Sequence, residues 1–523
     1  MKLKINVDPG SQVPLTHQLY EELRNLILSG KLRAGERIPS SRALAEQLGV
    51  SRPTVTQAYE QLLAEGYVQG RHGSGTYVCG DLSDGSKPAK PAGQRPAARS
   101  GARQLSSFGR SLQASRLAPA RSPEAEISFY CWRPAFEEFP VVEWARSLWR
   151  HARLPDVQFL DYASDPQGYL PLRESIAEFV CRYRGFECDP GQVLIAMGLQ
   201  QALDLAARLH VEQGDTVVVE NPSYPGARNT FKAHGCDLLP VPVDESGLVV
   251  ERLPDASAGR YKLTYVTPSH QFPTGAVLSL RRRLELLAWA ARAQALIFED
   301  DYDSEYRYAG RPIPALQGLD GAGSSVVFAG SFSKVLLPSM RLGYLVVPPE
   351  LVDKFAAARF LSDRHSSIID QAAMCDFIGE GHFGRHIRRM RELYSSRLEV
   401  LRESVRHRLD DVLNLEETEA GLHTVGWLGD SLNAEVVARA GLAHRLELFP
   451  ISRFALKSAG REGFLMGFAG IDTKEIRRGV DCLAVVFDRL IRGGQTALGE
   501  ATSRPDRRTS VESTLSKADR GKR

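Results

Sequence analysis

The stretch Gly330-Ser331-Phe332-Ser333-Lys334-Val335-Leu336-Leu337-Pro338-Ser339-Met340-Arg341-Leu342-Gly343-Tyr344 decides how the rest of the chain reads. It follows the apolar, β-rich run 325–329, so Lys334 stands just past a buried strand. An amine there, flanked by the hydroxyls of Ser331 and Ser333 and followed by Arg341, suits an aldehyde cofactor that carries a phosphate. Lysine supplies the Schiff-base nitrogen, while serine and arginine supply donors for the phosphate. A lone lysine after a strand is usually a surface charge, so its neighbours must decide.

Four further segments fit the same task. Glu299-Asp300-Asp301-Tyr302-Asp303 follows an apolar strand ending at Phe298. A carboxylate at that strand end can pair with a pyridinium nitrogen, and a nearby tyrosine can donate to a ring oxygen. Alone the acidic cluster suggests a metal site; with Lys334 downstream the pyridinium reading prevails and no metal is expected. Gly198-Leu199-Gln200-Gln201 leaves a strand and opens a helix, where backbone N–H groups and the helix dipole suit a phosphate. Asn221-Pro222-Ser223-Tyr224-Pro225-Gly226 presents an aromatic that either stacks on a flat ring or packs locally as a turn residue. Ser269-His270-Gln271-Phe272-Pro273-Thr274-Gly275 is a polar, rigid turn suited to the edge of the cofactor, with His270 in its middle.

Short β-rich runs at 193–196, 216–220, 262–266, 296–299 and 325–329 alternate with helical stretches at 200–210 and 280–293. That alternation predicts an α/β sheet covered by helices on both faces. With 523 residues the chain has room for two or more domains. A net charge of +3 does not by itself point to nucleic acid. Seven scattered cysteines without CxxC spacing read as reduced thiols of a cytoplasmic protein. There is no apolar run of membrane-spanning length, and the polar N-terminus is no signal peptide.

The first 80 residues have a different texture. Leu19, Leu23, Leu26 and Ile27 share one helical face, residues 42–48 form a second short helix stopped by Gly49, and Ser51 caps a third. Two helices joined by a tight glycine-containing turn make a helix-turn-helix. Polar residues crowd the start of the third helix, where a recognition helix meets base edges and phosphates. Two short strands flank Gly70-Arg71-His72-Gly73-Ser74-Gly75, a hairpin with a basic tip. Beyond it, residues 80–126 are rich in Pro, Ala, Gly, Ser and Arg, with no acid between Gly85 and Pro123, and read as a flexible basic linker. Residues 493–523 read as a disordered tail.

Arg37-Ile38-Pro39-Ser40-Ser41-Arg42, the string 48–55 and Glu65-Gly66-Tyr67-Val68 resemble the GntR-type winged helix-turn-helix over residues 10–79. By that resemblance Arg42, Ser51, Arg52, Thr54 and Thr56, with His72 and Gly73 of the wing, touch DNA. Residues 127–492 resemble the fold-type I aminotransferases with a large and a small lobe, whose cofactor is pyridoxal 5'-phosphate. The resemblance implies Lys334 as the Schiff-base lysine, Asp300 as pyridinium partner, Tyr302 as ring-oxygen donor and Tyr224 stacked on the ring. Ser331, Ser333, Arg341 and the turn at Gly198, Leu199 and Gln200 would hold the phosphate. The order of reader, linker and aminotransferase-like domain is similar to the MocR/GabR regulators. It implies a homodimer on a double-stranded operator with paired half-sites, with an amine, amino acid or vitamin B6 form sensed through the Lys334 aldimine.

One departure stands out. In Gly463-Phe464-Leu465-Met466-Gly467-Phe468-Ala469, Leu465 occupies the position where these enzymes usually carry a carboxylate-clamping arginine. Loss of that bidentate contact makes an ordinary α-amino acid a poorer ligand, and leaves Arg228 and Arg461 as candidate effector contacts. Trp132 also replaces a common glycine. The leading expectation is therefore a regulator with at most residual transamination. A working aminotransferase that carries a DNA module is the alternative, and a cofactor-free dimerisation scaffold is a third reading.

Overall fold

The computed structural model describes residues 3–71, 74–80, 105–112, 121–153, 161–162, 165–310, 313–321, 325–429, 432–458 and 460–492. The chain divides into two compact units, Met1–Gln104 and Leu105–Arg523.

In the first unit, helices α1 (Leu15–Leu28), α2 (Ser41–Leu48) and α3 (Arg52–Ala64) precede an antiparallel hairpin of β1 (Val68–Arg71) and β2 (Gly75–Val78). Leu19, Leu23, Leu44, Val55, Leu62 and Val78 make one core. Gly49 ends α2 in the left-handed region at φ 68°, which turns the chain sharply into α3. Ser51 caps α3 by accepting from the Thr54 N–H at 3.3 Å. Tyr59 ties α3 back to the segment that precedes α2 by donating to the Pro39 carbonyl at 2.8 Å. This is a winged helix.

The second unit is built on an eight-stranded sheet. Short β3 (Ile127–Ser128) lies apart from it; β4 (Val193–Ala196), β5 (Thr216–Asn221), β6 (Asp237–Asp244), β7 (Gly247–Leu248), β8 (Tyr261–Val266), β9 (Leu296–Asp301), β10 (Val326–Ser331) and β11 (Gly343–Val346) stand in the order β4-β11-β10-β9-β8-β5-β6-β7. Strands β10, β9, β8, β5 and β6 are mutually parallel, and β11 runs antiparallel between β10 and β4. Strands β4, β8, β9 and β10 are almost continuously buried, as expected of strands covered on both faces, whereas β6 near the sheet edge is largely part-exposed. A smaller antiparallel sheet joins β12 (Leu413–Leu415), β13 (His423–Leu428), β15 (Phe449–Pro450) and β16 (Gly463–Gly467), while β14 (Leu446–Glu447) pairs with β3. This is the α/β architecture with a large and a small lobe.

Part of the expected linker is folded onto this unit. Residues Ser107–Ser111 form a short helix capped by Ser106. The Phe108 ring meets His234 at 5.4 Å, and the Ser111 hydroxyl donates to the Ala233 carbonyl at 3.1 Å. Farther on, the Ser122 N–H donates to Glu447 at 2.8 Å. The flexible reading therefore fails for 105–112 and 121–126. Overall composition hid a local helix that carries Phe108 and is flanked by Leu105 and Leu112. Residues 81–104, 113–120 and the expected tail 493–523 lie outside the described residues.

Candidate functional site

The parallel strands end on one edge of the large sheet, the side where open α/β sheets receive ligands. A cavity of about 490 Å³ opens there, within the usual range for ligand pockets. Leu199, Gln200, Tyr224, Asp300, Tyr302, Ser331, Ser333, Lys334 and Arg341 line it together. They come from separate strand ends spread over more than a hundred residues of chain.

Lys334 is half-buried, and its Nζ donates to the Trp132 carbonyl at 3.3 Å. Burial pulls the amine down to about 8, against the pull of Asp303 and Asp300, so a reactive neutral fraction exists near neutral pH. Asp300 lies near the end of β9 and is buried. Its Oδ2 accepts from the Tyr265 hydroxyl at 2.6 Å, whereas its Oδ1 is buried without a partner. Such an orphaned acceptor is uncommon, and it fits a cationic N–H donor such as a protonated pyridine ring. Burial pushes Asp300 up to about 7, with the Tyr265 hydrogen bond acting the other way.

At the phosphate end, Gly198 stands before the helix Leu199–His210 at φ 82°, with no side-chain cap over the helix start. Any Cβ there would be strained, and would lie 3.5 Å from the Arg341 guanidinium. The left-handed backbone is what calls for glycine, since a Cβ at that distance from Arg341 is in ordinary contact. Arg341 itself spends Nη2 on the Met197 carbonyl at 2.8 Å. Ser331 accepts from the Ser333 N–H at 3.1 Å. Gln200 points sideways instead and donates to Thr230. Serine, arginine and a helix start in one corner suit a phosphate.

His270 lies behind the cavity rather than on it. Its Nδ1 is 3.0 Å from Asp303 and 3.1 Å from the Tyr302 hydroxyl, so it positions the tyrosine. Phe272, two residues on, takes the place on the cavity wall. Among the described residues, the grouping of metal-ligand side chains is His270, Asp303 and His423, and His270 and Asp303 are engaged with each other. Tyr224 lines the cavity edge-on to Phe272, with ring centroids 6.1 Å apart. The two candidate effector arginines are not brought to this cavity. Arg228 is buried and donates to the Phe454 carbonyl at 2.7 Å; Arg461 lies over the Trp427 ring at 4.7 Å and faces a neighbouring polar cavity. Leu465 is fully buried in an apolar cluster with Cys131, Phe272, Phe449 and Phe454, which Trp132 also joins.

Tyr265, His423 and Arg133 line the cavity and were not expected from the sequence. Tyr265 sits in β8, where alternation marks it only as a core position. His423 begins β13 in the other lobe; burial holds its imidazole well below the usual range and hence neutral.

An unfolded aspartate titrates at about 3.9, so a folded value of about 7 for Asp300 means that the folded chain holds this proton more tightly. The group therefore favours folding at low pH, and that contribution is lost as pH rises from about 4 to about 7. Cofactor-free Asp300→Asn should gain stability relative to wild type across that interval, read as paired melting curves. A difference independent of pH would show that Asp300 is ionised throughout.

In the first unit, Arg42, Ser51 and Arg52 are exposed, and Thr54 and Thr56 are half-buried around the start of α3. Ser51 and Thr54 hydroxyls lie 2.7 Å apart, and Thr56 donates to the Arg52 carbonyl at 3.0 Å. The two arginines stand at the starts of the second and third helices. His72 and Gly73 lie outside the described residues; beside them, Arg71 stacks on Tyr77 at 4.8 Å.

Residues 15–78 match the gntR family of bacterial regulatory proteins, and residues 152–483 match the class I and II aminotransferases. The chain is 41% identical over 502 residues to the probable rhizopine catabolism regulatory protein MocR of Rhizobium meliloti, spanning 95% of this chain and 99% of that protein. It is 33% identical over 479 residues to the pyridoxine biosynthesis regulator PdxR of Corynebacterium glutamicum, spanning 91% and 96%. Among solved structures it is similar to the α-aminoadipate aminotransferase LysN of Thermus thermophilus, at 29% identity and a TM-score of 0.65, over 75% of this chain and 96% of that one. A winged-helix reader joined to an aminotransferase-like domain defines a DNA-binding transcription regulator. The chain belongs to the MocR group of the GntR family. Pyridoxal phosphate is the cofactor typical of its larger domain.

Proposed function

We propose that this regulator holds pyridoxal phosphate on Lys334 and changes its grip on DNA when a small amine, amino acid or B6 form enters the same cavity. The observation that carries the reading is the pairing of a half-buried lysine amine, lowered to about 8, with the orphaned Asp300 oxygen in one cavity. The bound group supplies an aldehyde that condenses with amines and a ring that absorbs near-visible light. The protein does the rest. Asp300 would meet the ring N–H, Tyr302 would donate to the ring oxygen while His270 steadies it, and Ser331, Ser333, Arg341 and the Gly198 turn would hold the phosphate, with Tyr224 beside the ring.

The apolar surroundings of Leu465 favour regulation over turnover. The strand that would clamp a substrate carboxylate offers buried apolar side chains. A homodimer on paired half-sites is supported by the exposed apolar residues Val141, Val142 and Trp149, together with Phe360 and Leu361, the last 81% exposed. Among the described residues no helix is long and apolar enough to cross a membrane, in line with a cytoplasmic site of action.

Borohydride reduction of the cofactor-loaded full chain, followed by peptide mass mapping, tests the assignment. The added mass belongs on the peptide carrying Lys334. Its recovery on another lysine contradicts the proposal.

A further inference from the structure

Two arginines line the Lys334 cavity without a task in the scheme above: Arg121 and Arg133. The guanidinium of Arg133 rests over the Phe136 ring at 4.9 Å. Its Nε is buried and meets no partner. Glu137, the acid nearby in sequence, is held by Arg397 at 2.8 Å. A buried N–H without an acceptor is uncommon and costly, and an acceptor arriving through the cavity would remove the cost. Arg121 is exposed. Among the described residues its one hydrogen bond runs from Nη2 to the Glu126 carbonyl at 3.0 Å, which leaves most of its donors for a ligand.

Positive charge absent at Leu465 is therefore present on the lining of the Lys334 cavity. We propose that Arg121 and Arg133 form an anion subsite that takes a carboxylate or phosphate group of the effector from the 121–133 segment rather than from the Leu465 strand. The inference rests on the reading of the Lys334 cavity as the effector pocket. Arg121 precedes Ser122, whose N–H is anchored on Glu447 at 2.8 Å, so the subsite arginine stands on a segment fastened to the same unit.

The test uses the cofactor-loaded full chain, with the near-visible band followed during titration with succinate and, separately, with inorganic phosphate. Saturation by succinate alone identifies a carboxylate subsite, and saturation by phosphate with retained cofactor a phosphate subsite. Arg133→Met should weaken the responding probe on the order of tenfold, as expected for one charged hydrogen-bonding group. Arg133→Lys keeps the charge and the stem over Phe136 but loses the fork, so it should restore part of the binding. Arg121→Gln should weaken the same probe. Unchanged midpoints in Arg133→Met and Arg121→Gln overturn the proposal, as does a wild type that neither probe saturates. Absence of any near-visible band in wild type contradicts the Lys334 reading instead, and calorimetric titration of the same probes into the same variants then decides on the arginine pair.

Discussion

Lys334→Ala is expected to abolish the near-visible band of the cofactor-loaded protein and to leave operator binding deaf to the effector. The reason is chemical. Among the cavity-lining residues Lys334 is the one primary amine, and burial keeps a neutral fraction of it available near neutral pH. Alanine keeps the wall but removes the nucleophile, so the phosphate corner and Asp300 alone must hold the cofactor. In wild type, coupling between two sites typically shifts affinity by about fivefold to a hundredfold. The variant should show operator affinity that no amine or amino acid alters. An unchanged absorbance band in Lys334→Ala contradicts the assignment outright, and an unchanged effector response contradicts the coupling.

The second large effect lies in the other unit. Arg52→Ala, at the exposed start of α3, should weaken operator binding by about fivefold to 150-fold if the arginine reads a base edge, since a bidentate pair is worth about 1–3 kcal/mol. If it meets phosphate instead, the loss is shared by specific and unrelated DNA, and the salt dependence of binding falls by about one counterion. Gel shifts across a salt series separate the two. Equal affinity of variant and wild type at low salt removes Arg52 from the interface. The substitution should leave the near-visible band intact, because the reader has its own core of Leu19, Leu23, Val55 and Leu62.

Much of this arrangement was legible because it is local in sequence. Lys334, Asp300, Tyr224 and the Gly198 turn each follow an apolar run, and strand ends in a parallel sheet converge on one edge. The winged helix was legible for the same reason, from a cap at Ser51 and a stop at Gly49 a few residues from the helices they punctuate. What could not be read depends on pairs distant along the chain. Tyr265 looks like any β-strand core residue until β8 and β9 are set side by side and its hydroxyl meets Asp300. His423 reaches the cavity from the small lobe. His270 stands in a turn of the expected kind, but the buried Asp303 draws its ring away from the cavity and onto Tyr302. Arg228 and Arg461 carried the right charge, but a backbone carbonyl and the Trp427 ring hold them elsewhere. The linker segment at 107–111 was masked by the composition around it, although Phe108 had a partner in His234.

Regulation of this kind requires that one cavity both hold the cofactor and report to the DNA reader. The most direct measurement takes the cofactor-loaded full chain through a titration with amines, amino acids and free pyridoxal phosphate. Absorbance and operator shift are recorded on the same samples. Compounds that alter the near-visible band should be those that alter operator affinity, with the same midpoint for both signals. An effector that changes operator affinity while the band stays constant, or one that saturates the band without any change at the operator, would contradict it.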